Sequence, residues 1–574
     1  MKLSFNEVFQ PKLFHTLKSY TKQKFLQDAL AGWIVGVVAI PLAIAFGIAS
    51  GVGPAEGLIT AIIAGFIISA FGGSKVQIGG PTGAFIVIIY GVIQQHGLTG
   101  LLIATIMAGI MLILMGVFKL GSIIKFVPYP VIVGFTAGIA LTIFSTQMND
   151  LFGMNIQGVP ADFIHKWVCY AEHWKDINWW AFGVGAVSLA MLILLPHFSK
   201  KVPASLVVII LMTFITWLLR RYAGVDTIKT IGDLYTIPNG IPAPHLPSFD
   251  LAEGQTFWSL VQSLFPAAFT IAMLGAIESL LSAMVADGVI GDRHNSNSEL
   301  IAQGVANVVV PFFGGIPATG AIARTMTNIN NGGKTPVAGI VHAIVLLAVL
   351  LFFGPLVGLI PMACLAGILI MVSYNMSEWR SIVWLAKNPK SDFLVMIVTF
   401  ILTVLFDLTI AIEVGLLLAV ILFIKRTNES TTVQSFTNEL DPTHNNDLRL
   451  HGQDLETLKI PPYTEVYEID GPYFFGIANK FDDISRRTHS DEQKVRIIRM
   501  RKVSFIDSTG IHNLEQLYMR LQRDGIQLVL SGVNEKVFNA LDKAGLVNKI
   551  GRENVRNHIN GALARAEEIV KSGD

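Results

Sequence analysis

Two short passages of this chain have the makings of an anion site built largely from backbone. The first reads Phe71-Gly72-Gly73-Ser74 and then Gly79-Gly80-Pro81-Thr82-Gly83-Ala84; the second reads Phe313-Gly314-Gly315-Ile316-Pro317-Ala318-Thr319-Gly320-Ala321. In each, Phe-Gly-Gly closes an apolar run, a Gly/Pro break follows, and Thr-Gly-Ala opens another run. A helix that begins inside a membrane presents unsatisfied N–H groups and the positive end of its dipole. Two such starts facing each other make an anion site, and glycine lets a ligand come close to the backbone. Arg324, about one helical turn beyond Gly320, adds a permanent cation. Thr82, Gly83, Ala84, Thr319, Gly320, Ala321 and Arg324 are therefore the candidate substrate-binding residues. Glycines that only permit helix packing and prolines that only kink would account for either break alone. They account less well for a pair matched in residue type and position.

Glu278 is the second pointer. It lies in the otherwise apolar stretch 265–282. An ionised carboxylate there is costly, so such residues mark proton or ion pathways. Glu278 is a candidate to take up and release a proton during transport, or to hold Na⁺ together with Ser282. The two are four residues apart and share a helix face. A structural role, neutralising Arg324, is the competing reading. Other signals fail. Gly333-Lys334-Thr335 resembles the end of a nucleotide-binding loop, but the glycine needed five positions earlier is Asn328. His294 and His342 stand alone and read as packing or interfacial residues; Asp407 and Glu413 flank a short turn and read as interfacial. Cys169 and Cys364 are far apart, and no Cys/His cluster has metal-ligand spacing. Nothing argues for an enzyme, a metal or a cofactor beyond a co-transported ion.

These residues need a membrane body to position them, and the composition supplies one. Of 574 residues 52% are apolar and 14% charged, with mean hydropathy +0.56; soluble domains carry about a quarter charged. That excludes a soluble, disordered or disulfide-scaffold protein. A net charge of +1 argues against a nucleic-acid binder, which needs a basic excess. A spanning helix needs roughly 20 apolar residues. Runs at or near that length recur at 29–49, 101–118, 131–144, 182–195, 206–219, 337–353 and 394–406. The first has no cleavage signal and reads as a span, not a signal peptide. A polar loop at 220–257, carrying Pro238, Pro242, Pro244 and Pro247, divides the body in two, and Phe71 and Phe313 lie 242 positions apart. Matching broken segments in two halves point to an inverted-repeat secondary transporter.

Basic clusters orient the body. Lys12, Lys18, Lys22 and Lys24 share one side with Lys119 and Lys125, Lys200 and Lys201, Arg380, Lys387 and Lys390, and Lys425 and Arg426. Both termini are expected in the cytoplasm and the number of crossings is expected to be even. The tail differs: 41 of the 83 Asp, Glu, Lys and Arg residues fall in the last 148. It reads as a water-soluble α/β domain with strands at 467–469, 495–500 and 526–530. Between the last two, Ile511, Leu514, Leu517, Tyr518 and Leu521 form one face of a helix that starts at Asp507-Ser508-Thr509-Gly510.

At this point the sequence resembles a known family. Ala39-Ile40-Pro41-Leu42-Ala43-Ile44-Ala45-Phe46-Gly47-Ile48-Ala49-Ser50-Gly51, the break at 80–84, and 274–281, 311–324 and 404–415 are similar to motifs of the SulP anion transporters; the tail resembles their STAS domain. Among bacterial members the likeness is greatest to dicarboxylic-acid transporters of the enteric type, through 266–281, 311–315 and Asn375-Met376-Ser377-Glu378. The resemblance implies a polytopic α-helical fold of seven plus seven inverted-repeat segments, with core and gate domains moving as an elevator. It places a transporter at 1–426 (repeats about 25–222 and 257–426), a linker at 427–460 and a cytosolic STAS domain at 461–574. It implies an anion held between Thr82, Gly83 and Ala84 and Thr319, Gly320 and Ala321, with Arg324 as the basic residue and Glu278 as the coupling carboxylate. Sodium–bicarbonate members have aspartate and threonine where this chain has Glu278 and Ser282, which favours a co-transported proton over Na⁺. Leu42 stands where many eukaryotic members have glutamine. Ser508 and Thr509 lie where anti-sigma-factor antagonists carry a phosphorylated serine, and a plain helix cap is the alternative. The expected cargo is a small anion, sulfate first, with C4-dicarboxylates and bicarbonate as rivals and a channel as the competing class. A homodimer in the bacterial inner membrane, with a possible cytosolic partner for the STAS domain, completes the expectation.

Overall fold

Apolar segments of this length form helices because no other single-segment conformation satisfies the backbone inside lipid. The computed structural model describes residues 9–122, 127–160, 162–198, 203–236, 240, 243–244, 256–406, 408–436, 439–440, 458–476 and 493–572. A short helix α1 (Lys12–Leu17) precedes α2 (Lys22–Ala49) and α3 (Pro54–Phe71). Next comes the extended pair β1 (Gly79–Gly80), a turn at Gly83–Phe85 and α4 (Ile86–Val117). Gly97 interrupts α4 at φ 68°, ψ −174°, dividing it into two pieces. Then follow α5 (Tyr129–Thr146), α6 (Trp179–Phe198) and α7 (Ala204–Ala223). The second half repeats the pattern with α8 (Phe257–Ile290), α9 (Ser296–Val309), β2 (Thr319–Gly320) and α10 (Ile322–Asn330). It ends with α11 (Val337–Phe352), α12 (Met362–Met376), α13 (Lys390–Leu405) and α14 (Leu408–Ser430). Setting the short α1 aside and counting α4 as two, each half contributes seven of these segments, with an extended break ahead of the third in each.

All seven apolar runs lie in these helices. The first begins earlier than hydropathy suggests because Thr21 caps α2, accepting from Lys24 N–H at 3.3 Å. Asp28, in that polar extension, is buried and accepts from the Lys334 and Thr335 amides (2.7 and 3.1 Å) and the Thr335 hydroxyl (2.6 Å). Helices α2, α3, α4, α8, α9, α10 and α11 pack into one bundle; α5, α6, α7, α12 and α13 form another, and α2 touches α7 and α12 across the two. The α4–α9 crossing is closest at two glycines. A Cβ at Gly109 would stand 2.7 Å from the Gly304 carbonyl, and one at Gly304 2.5 Å from the Gly109 carbonyl.

The chain forms two compact units, Met1–Ala419 and Val420–Asp574. In the second, β3 (Thr432–Phe436) pairs antiparallel with β4 (Thr464–Asp470). Parallel β5 (Val495–Lys502), β6 (Gln527–Ser531) and β7 (Val555–Arg556) follow in order. Helices α15 (Ser508–Arg523), α16 (Glu535–Lys543) and α17 (Leu546–Ile550) cover one face, and α18 (Ile559–Ser572) the other. Of the stretch assigned to a linker, residues 427–430 continue α14 and Thr432–Phe436 joins the sheet; 437–438 and 441–457 lie outside the described residues. So do Lys125, Lys200, Lys201, Asp407, Pro238, Pro242 and Pro247.

Candidate anion and coupling-ion site

The two breaks meet. β1 and β2 pair antiparallel, with Gly79 opposite Gly320 and Gly80 opposite Thr319. Side chains from neighbouring helices hold the backbone that these short strands leave unpaired. Asn307 clasps Ala318, accepting from its N–H at 2.9 Å and donating to its carbonyl at 2.8 Å. The Gly320 amide donates to Ser279 Oγ (3.0 Å), which lies 2.6 Å from Thr319 Oγ1. The Gln77 amide reaches the Ser279 carbonyl (3.1 Å).

Thr82 joins the first break to α8. Its hydroxyl accepts from the Ala84 amide at 3.1 Å and donates to Glu278 Oε2 at 2.9 Å. Both Thr82 and Glu278 are partly exposed, whereas Gly83, Ala84, Thr319, Gly320 and Arg324 are buried. Ala321, partly exposed, donates its amide to the Ile78 carbonyl at 2.9 Å. The fold itself thus uses the Ala84 and Ala321 amides, two of the donors expected to be free at the helix starts.

Arg324 is 2% exposed. Its Nη2 donates to the Pro81 carbonyl at 2.8 Å, bridging α10 to the first break, while Nη1 is buried without a hydrogen-bond partner. That nitrogen lies against Gly80, whose φ of +152° and missing side chain leave the space it occupies. No ion pair joins Glu278 to Arg324 among the described residues, so the neutralising role for Glu278 is not what the geometry shows. Ser282 also turns elsewhere. It is buried and donates to Thr325 Oγ1 at 3.3 Å, sharing no partner with Glu278. Among the described residues no group of three or more His, Cys, Asp or Glu could hold a metal ion.

The site borders the second bundle. A Cβ at Gly83 would lie 3.0 Å from Met376 Sδ of α12 and 3.2 Å from Ile143 Cδ1 of α5. A cavity of about 430 Å³ opens between the bundles, lined by Leu42 and Thr327 on one side and Met371 and Asn375 on the other. Sequence reasoning missed the supporting polar set, Gln77, Ser279, Asn307 and Thr325. The available signal was that Ser279 and Asn307 are polar residues within largely apolar runs; Gln77 and Thr325 have no such mark. It also missed Glu299, buried on α9, which accepts from the Gly73 and Ser74 amides at 2.8 and 3.1 Å and fixes the end of α3. His342 is buried with neither ring nitrogen hydrogen-bonded. In the second unit, Ser508 and Thr509 are exposed. Capping falls to Asp507, which accepts from Gly510 N–H at 2.7 Å and Phe475 N–H at 3.1 Å.

Comparison with known proteins decides the family. The model of the sulfate permease family matches residues 25–399, and that of the STAS domain residues 457–562. The chain belongs to the sulfate permease family. It is a multi-pass anion transporter of that family, not an enzyme. Relatives include "Putative sulfate transporter YvdB" of Bacillus subtilis, 43% identical over 94% of this chain and 98% of that one. Another is the bicarbonate transporter BicA of a Picosynechococcus strain, 32% identical over 79% of each. Murine Slc26a9, an anion transporter solved in the inward-facing state, shares the fold at TM-score 0.85 over 99% of this chain and 95% of that one, with 18% identity. The transmembrane domain of a cyanobacterial BicA aligns at TM-score 0.61, covering 68% of this chain and 98% of that domain, with 32% identity.

Proposed function

We propose that this transporter is a secondary active importer that carries a small oxyanion, sulfate first, with a proton. The carrying observation is Arg324 Nη1: a buried cationic donor without a partner, set between two helix starts. A buried cationic donor left unpaired is costly, and an anion lodged beside it removes that cost. Glu278 supports the coupling assignment. It reaches the same break through Thr82, is partly exposed and has no cationic partner among the described residues, so it can load a proton when the anion arrives. The separate partner of Ser282 favours a proton over Na⁺. The two-bundle packing and the cavity between bundles support an elevator motion of the site-bearing bundle against the other. The reading places the protein in the bacterial plasma membrane as a homodimer with both termini cytoplasmic. It treats the exposed turn at Ser508 and Thr509 as a regulatory position for a cytosolic partner.

Uptake into proteoliposomes tests this reading. Labelled sulfate uptake should saturate and rise with an inwardly directed proton gradient. Unlabelled succinate, fumarate and bicarbonate compete in the same assay. Displacement by bicarbonate or a C4-dicarboxylate at concentrations where sulfate fails would reassign the cargo, and flux without saturation or coupling would make the protein a channel. A bicarbonate cargo has one specific support, the 32% identity to BicA; Na⁺-driven uptake would go with it.

A further inference from the structure

At one membrane face, away from the anion site, a polar cavity of about 660 Å³ gathers cations from four separate chain segments. Lys12 comes from α1, Lys75 from the turn after α3, Lys119 from the end of α4 and Arg293 from the α8–α9 turn. One carboxylate, Asp292, lines the cavity with them. It pairs with Lys75 at 2.7 Å and lies 3.9 Å from Lys12. No carboxylate pairs with Arg293 among the described residues. Leaving Lys119 out of the count, Lys12, Lys75 and Arg293 still outnumber the one carboxylate of the lining, so the cavity carries a cationic excess.

The walls are tied together by the backbone. Lys12 N–H donates to the Gly72 carbonyl (3.0 Å), Asn295 N–H to the Gly73 carbonyl (2.9 Å) and Gly121 N–H to Asn297 Oδ1 (3.1 Å). Lys12 Nζ donates to the Arg293 carbonyl at 2.9 Å. A set of cations held this way before a ligand arrives loses little freedom on binding. Exposed apolar side chains accompany three of these segments in the chain: Phe14 and Leu17 of α1, Phe71 at the end of α3 and Phe118 beside Lys119. Lys75, Lys119 and Arg293 each follow closely on the end of an apolar helix, which puts them where hydrocarbon gives way to water.

The geometry points to a binding site for a phosphate-bearing anion at this membrane face. Two sources offer that chemistry, the headgroup of an anionic phospholipid and a soluble phosphate. The exposed apolar side chains next to these segments fit the first, with the phosphate among Lys75, Lys119 and Arg293 and the acyl chains on the hydrocarbon side. A ligand there would staple the loop that opens the first break to the α8–α9 turn, since Lys75 lies between α3 and β1, and Arg293 between α8 and α9.

The test is thermal unfolding of the full-length protein, delipidated in neutral detergent. It is titrated with short-chain phosphatidylglycerol, with short-chain phosphatidylcholine and with inorganic phosphate. Phosphatidylglycerol should raise Tm saturably, less so at high salt, and phosphatidylcholine should not. The double variant K119N/R293Q should weaken that response on the order of tenfold; asparagine suits the left-handed backbone of Lys119 (φ 60°). The control K387Q/K390Q, at two exposed lysines elsewhere, should respond as the unaltered chain does. If inorganic phosphate alone raises Tm and displaces phosphatidylglycerol, the site stands and its ligand is soluble. Equal responses to both lipids, an unchanged K119N/R293Q, or an equal loss in the control pair would overturn the proposal. Should the double variant fail to fold, R293Q alone, at an exposed side chain, carries the same comparison.

Discussion

At the scale of residues, the site is governed by how few groups answer Arg324. Nη2 is spent on the Pro81 carbonyl, which fixes the side chain, and Nη1 is buried with no hydrogen-bond partner among the described residues. A charge-assisted hydrogen bond contributes about 1.5–3 kcal/mol net, so Arg324→Ala should weaken sulfate binding between roughly tenfold and a hundredfold. Equilibrium binding to the purified protein checks this, and unaltered affinity would remove Arg324 from the site. Thr82 has one hydroxyl proton, which it gives to Glu278 while accepting from Ala84. Thr82→Val should therefore shift the pH dependence of uptake, and Thr82→Ser should restore it. A purely structural threonine would lower the amount of folded protein without moving the profile. Outside the membrane segments, the Lys75 ammonium holds the Asp292 carboxyl below its ordinary range. A carboxyl depressed in the folded state stabilises above its unfolded value, so this contribution is full above about pH 5 and fades as pH falls below about 4. Tm measured against pH should show that loss in the unaltered chain and a flatter curve in Asp292→Asn.

At the scale of elements, the α4–α9 crossing decides how closely the two halves interlock. Each glycine's absent side chain is filled by the other's carbonyl, so Gly304→Leu forces backbone apart. Overpacking costs about 1–3 kcal/mol and should lower Tm in detergent; a Tm equal to that of the unaltered chain would contradict the crossing. The elements were legible where chemistry is periodic or repeated. The seven apolar runs, the strand pattern of the tail and the two matched breaks follow from residue type and spacing alone, and the breaks do pair. What stayed hidden has a common physical character. Ser279, Gln77 and Glu299 act by reaching backbone on other segments, and no periodicity marks a side chain whose partner is 202 residues away in the chain, as Gln77 and Ser279 are. The same blindness applied to donors. A helix start looks open in sequence, yet Thr82 and Ile78 already take the Ala84 and Ala321 amides. Fewer backbone donors are therefore left for an anion than the motif suggests, and the proposed site leans more on the arginine.

At the scale of the whole molecule, two halves of one chain each supply a broken segment, and neither break makes a site by itself. The first brings Thr82 and the Pro81 carbonyl, the second brings Arg324, and α8 adds Glu278. On the proposed function, binding and coupling are separable at a single locus: the arginine would hold the anion and the carboxylate would carry the proton. Accumulation and exchange of labelled sulfate in proteoliposomes, measured for the unaltered chain and Glu278→Gln side by side, tests this most directly. Glu278→Gln should still exchange sulfate across the membrane at equal pH but should no longer concentrate it when a proton gradient is imposed. Undiminished gradient-driven accumulation in Glu278→Gln would contradict it.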